Sequence, residues 1–196
     1  MTLARRQDPG TVMRALTFFR PWPNAILHST KACENRSWMP PEWLCGARIA
    51  IHAGQRYEVG AWPRHLWTPP PPSQCTASAV VGTARLLGAL KLDGEKRRTT
   101  MSLMLGGIDP GALARRLWEL DKDPWWSGPC GWLLDDVIAI PPVSCKGHQG
   151  IWKLPPEVQV VVRARELAAF AERASDGDER AAQVYLDLKR QMERAA

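Results

Sequence analysis

One short segment, STKACENRSW at residues 29–38, holds the densest set of polar side chains that could do chemistry. Lys31, Glu34 and Arg36 lie close together there, with apolar residues on both sides. We expect these charges to be only partly solvated, and a carboxylate beside two cations stays ionised. The cations could hold phosphates, and the carboxylate could accept a hydrogen bond from a base amino group such as N4 of cytosine. A structural ion pair at a strand end is the alternative.

The local backbone decides how these three side chains meet. In an extended segment Lys31 points to one side and Glu34 and Arg36 point to the other, because side chains alternate along a strand. A turn at Thr30 or Cys33 would instead bring Lys31 and Glu34 together. If the segment is part of an enzyme, Lys31 is the candidate base, provided that burial lowers its pKa, and Glu34 would manage protons.

Tryptophan is the second unusual feature, with ten Trp against two Tyr and three Phe. A Trp side chain offers either core volume or a flat face on which a base can stack. Trp22 and Trp38 flank the charged segment and are candidates for stacking, while Trp126 could form one wall of a cleft. The alternative for Trp22 is that it anchors the first helix.

Other candidates lie further along the chain. His52 ends a predicted strand and could donate to a phosphate or a base edge, although a lone histidine is also a common structural residue. Lys146 and His148 lie in the glycine-bounded loop CKGHQG, which could approach a ligand or only close the barrel. Arg20 could hold phosphates together with Lys31 and Arg36.

The sequence predicts no metal and no cofactor. His52 has no second histidine at metal-ligand spacing, and the chain has no HxE with a CxxC, so a deaminase-type zinc site is not expected. Asp135 and Asp136 are adjacent in a predicted strand and should point to opposite faces, which argues against a shared cation. Cys33 has no histidine nearby in sequence to activate it as a nucleophile.

Composition narrows the class of protein. The 196 residues are 45% hydrophobic and 23% charged, which is typical of a globular chain. No run approaches the roughly 18 apolar residues of a membrane span, and the N-terminus does not resemble a signal peptide. The five cysteines form neither an even set nor a CxxC pair, so reduced thiols are expected. We predict a soluble, cytoplasmic protein without a membrane partner.

The positive charge is unevenly distributed. The net charge is +6, and residues 153–196 carry eight basic and eight acidic side chains. The excess therefore lies in residues 1–152, where 18 basic residues face 12 acidic ones. Such an imbalance favours a polyanionic partner such as nucleic acid.

Hydrophobic periodicity and turn residues predict the elements that position these side chains. Strands are expected at 15–19, 47–52, 79–90, 132–140 and 158–162, and residues 31–38 should be extended. Helices are expected at 22–29, 109–121 and 178–194, with a possible short helix at 58–66. Residues 91–100 read as an exposed basic loop. Without regular βαβ alternation, this order predicts an α+β fold, a small mostly antiparallel β-barrel with peripheral helices and a C-terminal helix.

The domain organisation follows from the same pattern. Residues 1–12 are predicted to be a disordered leader, and residues 13–162 form the main domain with insertions near 54–78 and 91–127. Residues 163–196 form a helical extension. Its apolar face must dock on the barrel or on a partner chain, so a homodimer through this helix is one possibility.

Several motifs together resemble the ASCH domain (activating signal cointegrator homology), a relative of the PUA fold. They are RPWPNAILHSTKACENRSW at 20–38, GARIAIHA at 46–53, VVGTARLLG at 80–88, GWLL at 131–134 and GHQGIW at 147–152. The family pattern of Gly, Lys, Glu and Arg falls on Ser29, Lys31, Glu34 and Arg36. Ser29 replaces the glycine, so the local turn must differ if that position requires a positive φ.

The resemblance implies a PUA-like barrel whose cleft accepts RNA, a nucleotide or a modified base. Some similar small proteins hydrolyse an acyl group from a modified cytidine and others are nucleases, so the resemblance leaves catalysis open. The leading hypothesis is a binding site for RNA, single-stranded nucleic acid or a modified nucleotide. An amidohydrolase of the N4-acetylcytidine type or a ribonuclease is the first alternative, and a protein-interaction module is the second. The candidate residues are Arg20, Trp22, Lys31, Glu34, Arg36, Trp38, His52, Trp126, Lys146 and His148.

Overall fold

The computed structural model describes residues 12–58, 65–101 and 109–193. Almost all of the predicted leader at 1–12, most of the possible helix at 58–66, and Arg194 lie outside these residues. The strands are β1 (Arg14–Arg20), β2 (Cys33–Arg36), β3 (Arg48–Tyr57), β4 (Ala79–Asp93), β5 (Lys96–Met101), β6 (Cys130–Ser144) and β7 (Ile151–Lys153). The helices are α1 (Trp22–His28), α2 (Pro110–Trp118), α3 (Pro156–Ser175) and α4 (Glu179–Glu193).

All seven strands belong to one mixed sheet. Its order is β2-β6-β4-β3-β1-β7, and β5 pairs with β4 beside this path. The β1 and β3 strands are parallel, and the other pairs are antiparallel. Together with the four helices of the described residues, the curled sheet forms an α+β half-barrel, so the predicted α+β class with a mostly antiparallel sheet and peripheral helices is confirmed.

The two longest strands, β4 and β6, form the centre of the molecule, because long apolar runs let them bury most of their side chains. A Cβ added at Gly82 of β4 would overlap the side chain of Leu27, which follows Ile26 in α1. Helix α1 therefore rests directly on the sheet at this glycine. This contact fixes where the next residues, which lead into β2, leave the helix.

Two sequence predictions of secondary structure are wrong. Residues 158–162 are not a strand but the beginning of α3, where Val158, Val162, Glu166 and Phe170 are buried at helical spacing. The β-branched run favours a strand locally, but burial every fourth residue favours the helix, and Pro156 suits its first turn. The C-terminal part is thus a pair of helices, and it begins before the predicted boundary at residue 163.

The predicted loop at 91–100 contains a β-hairpin. Residues 91–93 of β4 pair with residues 96–98 of β5, and Gly94 has a φ of +60° at the turn. The Asp93-Gly94 dipeptide is a typical hairpin turn, and this signal outweighs the basic composition. Arg97 of the predicted basic tip forms a bidentate ion pair with Asp121, at 2.6 and 2.7 Å.

Helices α3 and α4 pack on each other and against β6. Of the predicted apolar face of α4, Ala181, Val184 and Leu188 are buried, whereas Met192 is 40% exposed. Helix α3 is anchored to the sheet by Glu166, which is completely buried. The apolar face of α4 is therefore covered within the same chain.

The expected alternation at Asp135 and Asp136 is also wrong. Asp136 has a φ of +46°, which interrupts the regular β6 strand. Both carboxylates consequently reach Nη2 of Arg180 on α4, at 2.6 and 2.8 Å. Among the residues that the structure describes, no helix is both long and apolar enough to cross a bilayer.

Candidate nucleic-acid interface

The candidate site is built on β2, a four-residue strand that pairs antiparallel with β6. Helix α1 ends at His28, and Ser29 continues with an extended backbone at a φ of −139°. No positive φ is needed at Ser29, so serine in place of the family's glycine causes no strain here. The chain bends at Ser29 and Thr30 and becomes a strand only at Cys33–Arg36, so the helix leads into β2 through a bend.

Lys31 is buried although it carries a charge, with only 3% of its surface exposed. Its Nζ donates a hydrogen bond to the carbonyl oxygen of Cys33. The same ammonium group lies 5.2 Å from the ring centroid of Trp22 and 5.7 Å from that of Trp125. Aromatic faces attract a cation at these distances. Lys31 is therefore held between two tryptophans.

Glu34 and Arg36 form an ion pair beside this group, with 3.1 Å between Arg36 Nε and Glu34 Oε1. The contact lacks the geometry of a hydrogen bond at Nε. Arg36 also donates to the carbonyl oxygen of Thr17 at 3.2 Å and lies 5.1 Å from the ring centroid of Phe18. The guanidinium is thus fixed at the edge of β1.

Burial raises the pKa of the Glu34 carboxyl above its usual value of 4.5. The charges of Arg36 and Lys31 act in the opposite direction but do not outweigh the loss of solvation. The sequence predicts that a carboxylate beside two cations stays ionised. That prediction did not take into account how deeply Glu34 is buried.

A second carboxylate, Glu58, belongs to the same group but was not predicted as a site residue. It accepts a hydrogen bond from the indole Nε1 of Trp22 at 2.5 Å, and its charge contributes to the raised pKa of Glu34. Glu58 directly follows β3, and the register of β1 and β3 brings it near Arg20 and Trp22. No local motif marks this residue, because only the strand pairing places it here.

The sequence analysis selected Trp126 of the two adjacent tryptophans at 125–126. The structure instead places Trp125 against Lys31. Trp125 Nε1 donates to the hydroxyl of Thr30 at 3.1 Å, and its carbonyl oxygen accepts from the Asn35 amide at 2.8 Å. Trp126 instead packs where a Cβ of Gly131 would lie. Trp125, and not the predicted Trp126, is thus the residue of this segment that lies against the cation.

Trp38 and Arg20 have other partners. The ring of Trp38 packs edge-on against Trp132 at 4.7 Å, and its carbonyl oxygen accepts from the Trp132 indole at 2.9 Å. Arg20 donates to the carbonyl oxygens of Gln55, Pro72 and Cys75. Proline has no N–H, so the proline-rich segment offers carbonyls, which Arg20 holds. Both side chains border the site and support its walls.

The remaining predicted residues form a second group around Trp152. His52 is 1% exposed, its Nε2 lies 3.1 Å from the carbonyl oxygen of Cys145, and burial lowers its pKa. His148 is exposed and its ring lies 5.2 Å from the ring of Trp152. Lys146 is exposed in the same loop. A side chain at Gly147 would overlap the His52 imidazole, so the loop closes over the histidine.

Thr17 connects the two groups. Its carbonyl oxygen accepts from Arg36, and its hydroxyl accepts from Trp152 Nε1 at 3.2 Å. Thr17 is also the register partner of His52 in the parallel pair of β1 and β3. The Lys31 group and the Trp152 group therefore lie next to each other along β1.

Cys33, between Lys31 and Glu34, is not a poised nucleophile. Its side chain is fully buried, and burial raises its pKa to about 12, although the charge of Lys31 acts in the opposite direction. A thiol must be ionised to react, so Cys33 is inert at neutral pH.

Comparison with known proteins adds a similarity of fold. No family model and no curated protein matches this sequence. Two crystal structures of ZmASCH from Zymomonas mobilis, a Tyr-to-Phe mutant and a Ser-to-Ala mutant, are similar to this chain at 17% and 18% identity. They cover 79% and 80% of this chain and 98% and 97% of their own, each with a TM-score of 0.39. Their name is that of the ASCH family, which the sequence motifs also resemble.

Proposed function

We propose that this chain binds RNA or another single-stranded nucleic acid, or a modified nucleotide, through the group formed by Trp22, Lys31, Glu34, Arg36 and Trp125. The observation that carries the proposal is a buried lysine between two tryptophan rings, next to a buried carboxylate that pairs with the partly buried Arg36. A purely structural ion pair needs neither the extra lysine nor the aromatic rings around it. In this set the cations match a phosphate, the carboxylate matches the edge of a base, and a tryptophan ring matches the face of a base.

The charges of the site match a nucleic acid backbone. Arg36 makes one carbonyl contact and one ion pair, which leaves donors of its guanidinium for a phosphate. The positive excess of residues 1–152 would support the same attraction at longer range. Binding that depends on phosphate contacts weakens steeply with salt.

Glu34 gives the site a reason to prefer a base with an exocyclic amino group. The carboxyl is buried and lacks a well-formed hydrogen bond to Arg36, so an amino group that donates to it would satisfy it. Stacking on a tryptophan face would add about 1–3 kcal/mol per base. Cytosine, adenine and guanine carry such an amino group, and uracil does not.

The test is fluorescence polarisation with labelled single-stranded oligonucleotides, cytosine-rich and uracil-only, at several salt concentrations. Lys31→Gln and Arg36→Gln should each weaken binding about tenfold at low salt. Arg190→Gln is the matched control, because Arg190 lies on the exposed side of α4 and pairs only with Asp187 among the described residues. No binding at about 50 mM salt, or an equal loss in the control, would contradict the proposal.

Hydrolysis of a modified cytidine is the second candidate, and the raised pKa of Glu34 favours it. A carboxyl that keeps its proton above its usual range can donate it to a leaving group. Water would add to the acetyl carbonyl of N4-acetylcytidine, and cleavage of the amide would give acetate and cytidine. Chromatography after incubation detects cytidine, and release that Glu34→Gln and Lys31→Ala both abolish would favour the hydrolase. Shortened RNA in the same assay would favour the ribonuclease.

Self-association through the C-terminal helices is a further possibility. Leu186 and Met192 of α4 and Val160 of α3 are exposed apolar residues, whereas the main apolar face of α4 is covered within the chain. Sedimentation equilibrium distinguishes monomer from dimer. A dimer that Leu186→Glu dissociates would support this interface.

A further inference from the structure

A cavity of about 290 Å³ lies between the segment 29–32, strand β6 and the helices α2, α3 and α4. It adjoins the group proposed above, because Lys31 lines it whereas Trp22, Glu34 and Arg36 do not. Segment 29–32 is shared by both places and carries Lys31. The volume of the cavity is close to the lower limit of small-molecule sites.

Three arginines from three different helices line this cavity, Arg116 of α2, Arg173 of α3 and Arg180 of α4. Their side chains are 48%, 46% and 57% exposed, so their guanidinium groups remain accessible to a ligand. Arg116 has the weakest pairing, with Nη1 at 3.9 Å from Asp135. Such convergence places several N–H donors around one volume.

The carboxylates at the cavity are already neutralised. Asp136 is 3% exposed and is held by Arg85 at 2.7 Å and by Arg180 at 2.8 Å. Asp135 pairs with Arg180 at 2.6 Å. Arg173 is already paired with Asp178, so among the described residues Arg116 is the cavity arginine that the carboxylates neutralise least.

The backbone of Asp136 is strained where it borders the cavity, at a φ of +46° in a residue other than glycine. A positive φ is uncommon in residues other than glycine and is most often found where the surrounding structure or the function requires it. The strain places the Asp136 carboxylate against Arg180 instead of on the opposite face of β6. It thereby fixes the position of Arg180 at the cavity.

The rest of the lining is apolar and includes Ile26, Leu134 and Val184. We infer that the cavity binds a small organic phosphate with a flat apolar body, of the size of a mononucleotide. The arginine forks match phosphate oxygens, and the apolar surface matches a ring. The cavity shares Lys31 with the group of the proposed function, but Arg116 and Arg173 belong to the cavity alone, so variants of these two arginines test the inference separately.

The test is isothermal titration of the whole chain with cytidine 5′-monophosphate, inorganic phosphate and cytidine. The monophosphate should bind more tightly than either of the other two. Arg116→Gln and Arg173→Gln should each weaken this binding about tenfold. Arg115→Gln is the matched control, because Arg115 is the neighbour of Arg116 on the same helix but does not line the cavity. Circular dichroism checks that each variant is folded.

Arg36→Gln separates this site from the Lys31 group. Binding that Arg36→Gln abolishes and Arg116→Gln leaves intact would assign the monophosphate to the Lys31 group and overturn the inference. Equal loss in Arg115→Gln and Arg116→Gln, or no binding of the monophosphate, would also overturn it. Loss in Arg116→Gln with retention in Arg36→Gln supports it, whatever the result with RNA.

Discussion

Glu166 and Glu34 are two buried carboxylates of this chain that both have cations nearby. Their pKa values nevertheless shift in opposite directions. Glu166 on α3 receives Arg48 Nε at 2.5 Å, the Thr83 hydroxyl at 2.5 Å and Arg163 Nη1 at 3.0 Å. Burial alone would raise its pKa, but Arg48 and Arg163 outweigh the burial and hold the pKa below its usual value. This carboxylate is fully satisfied by its own chain.

Glu34 on β2 has one arginine at 3.1 Å, without the geometry of a hydrogen bond, and its pKa is raised. Both residues are buried, but the charges of Arg48 and Arg163, together with the hydrogen bonds, outweigh the burial of Glu166, whereas the charges near Glu34 do not outweigh its burial. A structural carboxylate is satisfied in the free protein, whereas a carboxylate kept for a ligand is left incomplete. The comparison identifies Glu166 as the anchor of α3 and Glu34 as the candidate for binding.

The largest expected effect is on stability at Glu166. Glu166→Ala leaves Arg48 buried without its carboxylate, so the free energy of unfolding should fall by about 3–5 kcal/mol. Urea denaturation followed by circular dichroism measures this. Glu172→Ala, on the exposed side of the same helix, is the control and should change little. If Glu166→Ala loses no more stability than Glu172→Ala, Glu166 is not the anchor of α3.

The next effect separates binding from stability at Glu34. Glu34→Gln should weaken binding of cytosine-rich RNA about tenfold, because the amide no longer offers two acceptor oxygens to the base amino group. At neutral pH the same variant should be at least as stable in urea as the unaltered chain, because it removes a buried charge. Unchanged affinity together with a large loss of stability would make Glu34 a structural residue like Glu166.

The two residues should also give opposite pH dependences of stability. The folded pKa of Glu34 is raised, so ionisation opposes folding, and Glu34→Gln should gain stability relative to the unaltered chain as the pH rises above about 4.5. The folded pKa of Glu166 is lowered, so its contribution is present above its unfolded pKa and is lost as the pH falls through the folded pKa. Melting temperatures from pH 3 to 8 test both signs, and parallel curves for the two glutamine variants would contradict the account.

The smallest effect concerns Cys33. Because burial raises its pKa to about 12, the thiol should react slowly with iodoacetamide at pH 8 in the folded chain and rapidly in urea. Cys33→Ser should bind RNA as the unaltered chain does, since no step uses the thiolate. Fast labelling of Cys33 in the folded chain, shown by mass spectrometry, would refute this.

Local patterns were sufficient for much of the fold. Alternation and apolar runs predicted β1, β3, β4 and β6, and helical spacing predicted α1 and α4. The prediction failed at residues 158–162, where a run of valines fits the period of a strand as well as that of a helix. Only burial against the sheet selects the helix. It also failed at Asp136, whose positive φ interrupts β6 and is invisible to a period of two.

The candidate site was predictable only where its residues are close in sequence. Lys31, Glu34 and Arg36 fall in one motif, so residue type and spacing were enough. Glu58 and Trp125 reach the same place through strand pairing and through hydrogen bonds to Thr30 and Asn35. Contacts across such sequence distances depend on the register of the sheet, which a single sequence does not reveal.

The most direct test of the binding account is a titration of the ¹⁵N-labelled chain with single-stranded cytosine-rich RNA, followed through the tryptophan indole N–H signals. Substitution of each tryptophan by phenylalanine assigns the signals. The account predicts that the signals of Trp22 and Trp125 move most, because these rings flank Lys31. The result that would contradict it is movement confined to the exposed Trp43 and Trp118, with Trp22 and Trp125 unchanged.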